Sequence, residues 1–464
     1  MRVTRASREC PEKRGWPEYC CALDTPALAL RAARGHIRNQ RRFSLGGTFM
    51  QQTADVAVLG AGMVGVSAAL HLQARGRDVA LVDRHGAAGL ETSFGNAGLI
   101  ERASIFPYLF PRDMRDLFYY ALNLSPQAHY HLSALPGIAS WLLRYFRESG
   151  PERARRHALD ALPLVERCLE EHDALIEVSG AGELVRRIGW IKLYRSDRTL
   201  AKGMIDAQRL RDFKLRIETL DAAALSALEP DLAPVKGAVH FLDTASVADP
   251  SAVAQSYASL FQSRGGRFLA GDVRALQQSR DGRWSVPTHD GQLLARDLVV
   301  ALGPWSDQIF RPLGYDLPFA VKRGYHMHYG VAEGARLSHP VLDADNGYVL
   351  APMTRGVRLT TGAEFARRDA APTPVQVDRD EVLARTLFPL RERLDPRPWM
   401  GCRPCFPDML PVIGKAPRHE GLWFDFGHQH HGFTLGPVSG RLLAEMMTGE
   451  EPFTDPAPYR VERF

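Results

Sequence analysis

Apolar positions along this chain fall into two periods. Residues 56–59 form an unbroken apolar run, as in a strand covered on both faces. The period then changes. Val66, Leu70 and Leu72 recur as on the buried stripe of a helix, which Gly76 ends, and 79–82 is a second apolar run that stops at Asp83. Residues 54–84 therefore predict strand, turn, helix, strand. Further on, the pattern predicts helices at 112–123 and 136–148 and a charged amphipathic helix over 151–178, kinked at Pro163. Strands follow at 190–194 and 238–242. Asp249 caps a helix that has Pro250 in its first turn and runs to about Arg264. Strands are predicted at 267–269, 273–277 and 296–303, with Pro304 and Trp305 opening a helix. Strands dominate 319–361, and 378–393 reads as a helix. The end is a strand at 422–426, a polar turn at 427–432 and a last helix over 437–447.

The turn after the first strand carries G-x-G-x-x-G at Gly60, Gly62 and Gly65. Gly60 permits the tight turn, Gly62 admits a pyrophosphate close to the backbone, and Gly65 lets helix and strand pack closely. The helix N-terminus presents N–H groups to the phosphates. Asp83 can accept from ribose hydroxyls and would repel a 2′-phosphate, which argues against NADP. A second apolar strand ending in glycine, 296–303, comes about 240 residues after the first. A nucleotide domain completed that late must be interrupted by an inserted domain. No second G-x-G-x-x-G occurs, so one dinucleotide is expected, and electrons come from an organic substrate rather than NAD(P)H.

Bulk properties narrow the picture. With 464 residues, 45% hydrophobic and 24% charged, the chain has the composition of an ordinary soluble protein of two or three domains. The net charge of +5 is local. Residues 1–50 hold ten of the 58 Lys and Arg and four of the 53 Asp and Glu, which leaves 48 basic against 49 acidic residues. Nucleic acid is not an expected partner. The six cysteines are too scattered for a secreted disulfide scaffold, and no secretory signal is visible, so a reducing, cytoplasmic setting is expected. Met50 reads as the start of the folded protein, with 1–49 an upstream artefact or a disordered extension. Residues 105–146 carry Phe106, Tyr108, Phe110, Phe118, Tyr119, Tyr120, Trp141, Tyr145 and Phe146. Core is the default reading, with a substrate-tunnel wall or a surface peripheral to the inner membrane as alternatives.

Six stretches in this order resemble the D-amino-acid oxidase-like flavoprotein family, most closely its bacterial D-amino-acid dehydrogenases, including those acting on D-hydroxyproline. They are the first unit, TSFGNAG (92–98), RDLVVALGPWS (296–306), VKRGYH (321–326), GCRPCFPDMLPVIG (401–414) and FGHQHHGFTLGPVSGRLLAEMM (426–447). The resemblance covers about 54–448. It implies an α/β fold: a doubly wound, Rossmann-like FAD-binding domain with an inserted α+β substrate domain containing a mostly antiparallel sheet. On that basis 51–185, 245–315 and 398–464 form the FAD domain, and 186–244 with 316–397 the substrate domain.

The same resemblance implies noncovalent FAD. Gly60, Ala61, Gly62, Met63, Val64, Gly65, Asp83 and Arg84 would hold its ADP half. Thr92, Ser93, Asn96, Ala97 and Gly98 would line the ribityl and ring region. Val273 would meet adenine and Gly303 the pyrophosphate. Gly432, Thr434, Leu435 and Gly436, at the start of the last helix, would face the negative charge of the reduced flavin. Arg403, in G-x-R-P, would clamp the substrate carboxylate, and Tyr325 and His326 would shape the pocket. The alternative for Arg403 is a structural pair with Asp408.

Gln429 and His431 depart from the family pattern. His428, His430 and His431 read as a cofactor-lining turn rather than a metal site, and Cys402 and Cys405 as a coincidental pair. The implied reaction is oxidation of a D-amino acid or cyclic imino acid by hydride transfer from Cα to flavin N5. Electrons would pass to a quinone or another acceptor. An oxygen-using glycine or sarcosine oxidase is the alternative, and a non-catalytic FAD-binding subunit is the alternative of another class.

Overall fold

The apolar run after Ala54 becomes the centre of an eight-stranded sheet. The protein is seen here in a computed structural model that describes residues 51–464. The readings for 1–50 lie outside the described residues. Gln51–Leu59 pairs in parallel with Val79–Asp83 on one side and Gly291–Val300 on the other. Arg267–Ala270 joins beyond Val79–Asp83, and Leu422–Phe426 joins the far half of Gly291–Val300. Across the sheet these parallel strands run third, second, first, fourth, fifth in chain order. The winding reverses between the first and fourth, and such a reversal leaves a crevice at the strands' carboxyl ends.

Some boundaries differ from the sequence pattern. The strand expected at 273–277 is a turn at Val273–Ala275, because the Asp272 side chain accepts from the Arg274 N–H at 3.1 Å and curls the chain; only Gln277–Gln278 is extended. The helix expected at 378–393 is Val375–Arg385. Pro389 cannot continue it, and Leu390–Arg393 becomes a strand. The last helix starts at Gly432 and encloses Pro437.

That helix, Gly432–Thr448, lies against Met63–Ala74, with Pro250–Ser263 and Pro151–Ser179 packed alongside. Two glycines allow the approach. A Cβ at Gly440 would stand 2.7 Å from the Ala68 nitrogen, and one at Gly436 would stand 3.1 Å from the Met63 carbonyl carbon.

The second sheet has eleven strands and is mostly antiparallel. Its spine is Ala320–Val331, flanked by Gly356–Thr360 and by Trp399–Cys405. It also takes in Ala128–Tyr130. The sheets thus divide the chain differently from the expected domain bounds, since 128–130 and 399–405 belong with the antiparallel sheet. A small third sheet joins Leu99–Glu101, Thr244–Val247 and Val185–Arg186. The aromatic segment is only partly core. Trp141 and Tyr145 are buried, but Tyr108 and Phe118 are each 62% exposed, and the helix Met114–Ala121 buries no residue. No helix among the described residues is long and apolar enough to cross a membrane.

Candidate active site

All five parallel strands bring their carboxyl ends to one cavity of about 1120 Å³, through Gly60, Asp83, Gly271, Ala301 and Phe426. The opposite wall is the antiparallel sheet, through Lys322, Gly324, Thr361 and Arg403. The volume exceeds what one small ligand fills.

At the nucleotide end, Gly60 turns with φ +103°, and a Cβ there would stand 2.5 Å from the Ala301 carbonyl oxygen. Gly62 caps the helix Met63–Ala74. Asp83 accepts from the Ala61 N–H at 2.7 Å and the His85 N–H at 2.8 Å, one on each oxygen, so each oxygen keeps a lone pair for a ribose hydroxyl. Arg84 lies over the Trp305 ring at 4.2 Å and pairs with Glu91. A cradle free of side chains, a helix N-terminus and a carboxylate at the second strand's end fit a dinucleotide.

The loop after it is tied from both sides. Ser93 Oγ accepts from the Met63 N–H at 3.0 Å. Thr92 Oγ1 donates to the Cys402 carbonyl at 2.9 Å. Asn96 Oδ1 accepts from the N–H groups of Gly98 and Leu99 at 2.8 and 3.0 Å. These side chains line the cavity and also shape it.

Of the residues named from sequence, Gly60, Gly62, Met63, Val64, Asp83, Arg84, Thr92, Ser93, Asn96, Ala97, Val273, Gly303, Gly432, Thr434, Tyr325 and Arg403 line this cavity. Ala61, Gly65, Gly98, Leu435, Gly436 and His326 do not. Gly65 packs under the Gly60 carbonyl, Gly98 against the Val247 carbonyl, and Gly436 against the first helix rather than facing the cavity. His326 is a correction. It is buried, stacked on Trp399 with ring centroids 4.8 Å apart, and burial, with Arg358 nearby, keeps it neutral.

Tyr325 reaches the cavity wall, but its hydroxyl is engaged in a buried network. It donates to Glu364 Oε2 at 2.7 Å and accepts from Arg323 Nη2 at 2.7 Å and the Thr373 N–H at 2.9 Å. Arg323 and Glu364 pair at 2.6 Å, both fully buried.

Arg403 stands on the antiparallel-sheet wall. Its register partner is Lys322, and Gly324 leaves room for the guanidinium, since a Cβ there would meet Nη2 at 2.5 Å. Nη1 donates to the carbonyls of Gly362 (2.8 Å) and Arg323 (3.4 Å), and Nη2 to that of Thr361 (3.4 Å). A guanidinium has five donors. The remaining two, on Nε and Nη2, form one edge of the fork. Asp408 pairs with Arg463 at 2.7 Å instead, so the structural alternative for Arg403 does not occur.

Asp425 and His428, 3.4 Å apart, are buried beneath the turn. Burial raises the Asp425 carboxyl well above its ordinary value, and it drops His428 to about 3 and His431 to about 4, so both histidines are neutral near pH 7. The histidines of this turn therefore set no positive charge beside the N-terminus of the last helix at Gly432. Cys402 is absent from the cavity lining, and burial pushes its thiol up to about 11, which argues against a covalent link there.

Sequence reasoning missed Lys322, Trp399, Trp305 and Thr361, all of which line the cavity. Strand alternation was the available signal. Trp399, Gly401 and Arg403 share one face, and Gly401 leaves room for the Trp399 ring.

A family model described as FAD dependent oxidoreductase (DAO) matches residues 55–446. D-amino acid dehydrogenase 2 of Mesorhizobium japonicum is 29% identical, across 86% of this chain and 98% of its own. D-amino-acid oxidase of Bradyrhizobium diazoefficiens is 30% identical, across 89% and 100%. Among solved structures, glycine oxidase from Geobacillus kaustophilus superposes with a TM-score of 0.68 at 21% identity, covering 89% of this chain and 100% of its own. With a matching family model spanning most of its length and a crevice built for one dinucleotide, the chain belongs to the DAO family of FAD-dependent oxidoreductases.

Proposed function

We propose that this protein oxidises a D-amino acid or a cyclic imino acid, such as D-proline or D-hydroxyproline, at Cα, and passes the electrons to a quinone or another acceptor. The observation that carries the reading is Arg403, which lines the same cavity as the dinucleotide cradle and whose Nε and one Nη2 donor make no hydrogen bond among the described residues. A planar fork of that kind matches a carboxylate. Relatives named D-amino acid dehydrogenase and D-amino-acid oxidase support the substrate class.

FAD, the cofactor of this family, supplies when bound an acceptor for two electrons and a proton's equivalent as hydride. The chain's own residues do the rest. Gly60, Gly62 and the first helix hold the pyrophosphate, and Asp83 the ribose. Arg403 fixes the substrate carboxylate and so the direction of the Cα–H bond. As hydride leaves Cα, the lone pair of the neutral amine closes the C=N bond. No side-chain base is needed, and catalysis is chiefly positioning. Water then hydrolyses the imine to keto acid and ammonia, whereas a proline-like substrate leaves as a cyclic imine. The exposed apolar side chains of Met114, Phe118, Leu122, Leu124 and Leu132, none of which lines the cavity, support contact with an inner-membrane surface, where a quinone would be met.

The test is anaerobic bleaching of bound flavin, near its band at about 450 nm, by D- and L-amino acids, cis-4-hydroxy-D-proline, glycine and sarcosine. Bleaching by D-amino or D-imino acids is expected. Bleaching by glycine or sarcosine alone, with steady oxygen consumption, would transfer the protein to the oxidase reading. No bleaching of the loaded protein would overturn amino-acid oxidation.

A further inference from the structure

The Arg403 reading leaves one charge in the cavity unaccounted for. Lys322 is the register partner of Arg403 across two antiparallel strands, so both side chains stand on the same sheet face. Both line the cavity. Lys322 is 9% exposed, and its Nζ sits 4.3 Å from the Tyr145 ring centroid and 5.2 Å from that of Trp141. Aromatic faces ease the burial of an ammonium but satisfy none of its three N–H donors with a conventional acceptor.

Among the described residues, neither Lys322 nor Arg403 has an acidic partner. The Cys405 thiol beside them is held protonated by burial and supplies no negative charge. Glu101, a carboxylate of the same cavity, feels Lys192 instead. Two adjacent enclosed basic groups without a counter-charge are costly to keep charged, burial and the neighbouring Arg403 both pushing the Lys322 ammonium down, and one carboxylate neutralises only one of them.

We propose that Lys322 selects an anionic substrate side chain, so that the preferred substrate is a small dicarboxylic amino or imino acid held by Arg403 at its α-carboxylate and by Lys322 at its second. This rests on the reading of Arg403 as the α-carboxylate clamp. It gives Lys322 a role in specificity and adds no chemical step.

The experiment uses the FAD-loaded full chain and compares isosteres that differ by one charge: D-glutamate with D-glutamine, and D-aspartate with D-asparagine. We expect kcat/KM for the acid to exceed that for the amide by about 10- to 100-fold, the range of a charged hydrogen bond. Lys322→Met should collapse that ratio towards one, and Lys322→Arg should keep most of it. Calorimetric binding of succinate, which carries no amine to oxidise, gives a second readout; its affinity should fall at least about tenfold in Lys322→Met.

A wild-type protein that prefers the amides would overturn the proposal. So would a Lys322→Met variant that slows acid and amide in equal proportion, which would place the lysine's action on the reaction centre. If D-glutamine bleaches the flavin while D-glutamate does not and succinate fails to bind, this proposal falls and amino-acid oxidation stands. If succinate binds in a Lys322-dependent way but no amino acid bleaches the flavin, the anion site stands and the oxidation reading falls.

Discussion

His172 Nε2 lies 2.9 Å from the carbonyl of Phe433 and supplies the hydrogen bond that Pro437, four residues further along the last helix, cannot. Both groups are buried, and the Tyr257 hydroxyl sits 3.0 Å from the other ring nitrogen. His172→Leu should cost about 1–3 kcal/mol by orphaning that carbonyl. Pro437→Ala restores a backbone donor in place and should recover much of the loss. Urea unfolding of the two single variants and the double variant checks this; strict additivity would show that the histidine and the proline act independently.

The pH dependence of stability follows from the same kind of residue. Burial lowers His172 and His431 to about 4 and His428 to about 3. The unfolded chain takes up these protons below about pH 6.5, while the folded chain does not. Stability is therefore full above that value and is lost as pH falls towards 4, at about 1.4 kcal/mol per pH unit for each such histidine. Thermal midpoints between pH 7 and pH 4 should fall, and His428→Asn should make the fall shallower. A flat profile would mean that these rings are solvated.

Arg403→Met should lower kcat/KM for amino acids by about 10²- to 10³-fold, as expected when a charged, bidentate contact is lost. The flavin spectrum should be retained, because the Arg403 guanidinium makes no hydrogen bond to a residue of the nucleotide cradle. Arg403→Lys should recover little, since a single ammonium cannot reproduce the fork. Unchanged kinetics in either variant would remove Arg403 from the site.

Glu364→Gln should destabilise the fold by about 3–5 kcal/mol, because it leaves Arg323 buried without its counter-charge. Tyr325→Phe should lose less, about 1–3 kcal/mol, with a smaller kinetic effect than Arg403→Met. A Tyr325→Phe variant that keeps full stability but loses turnover would assign the hydroxyl to the chemistry instead.

What the sequence discloses here depends on how local the cause is. Gly60 and the strand 56–59 are legible because the turn and the apolar run act within a few residues. The start of the last helix is not. Pro437 has the look of a first helical position, and only His172, on a distant helix, makes an earlier start tolerable. Lys322 reads as a solvent-facing lysine until its register with Arg403 is known. His326 reads from the sequence as a pocket residue, and only the position of Trp399 on a second strand shows it buried and stacked instead. The aromatic segment misleads for a simpler reason: Tyr108 and Trp141 score alike as apolar, and only packing separates an exposed ring from a buried one.

The order of strands in the parallel sheet also governs the protein's birth. Gln51–Leu59 finds its longest partner in Gly291–Val300, and the sheet is completed by Leu422–Phe426. During synthesis the first strand must wait, with one long edge unpaired, while more than two hundred residues emerge. The floor of the cradle does not exist until the carboxyl-terminal strand and helix have left the ribosome. A complete crevice for the flavin therefore exists only once nearly the whole chain has been made.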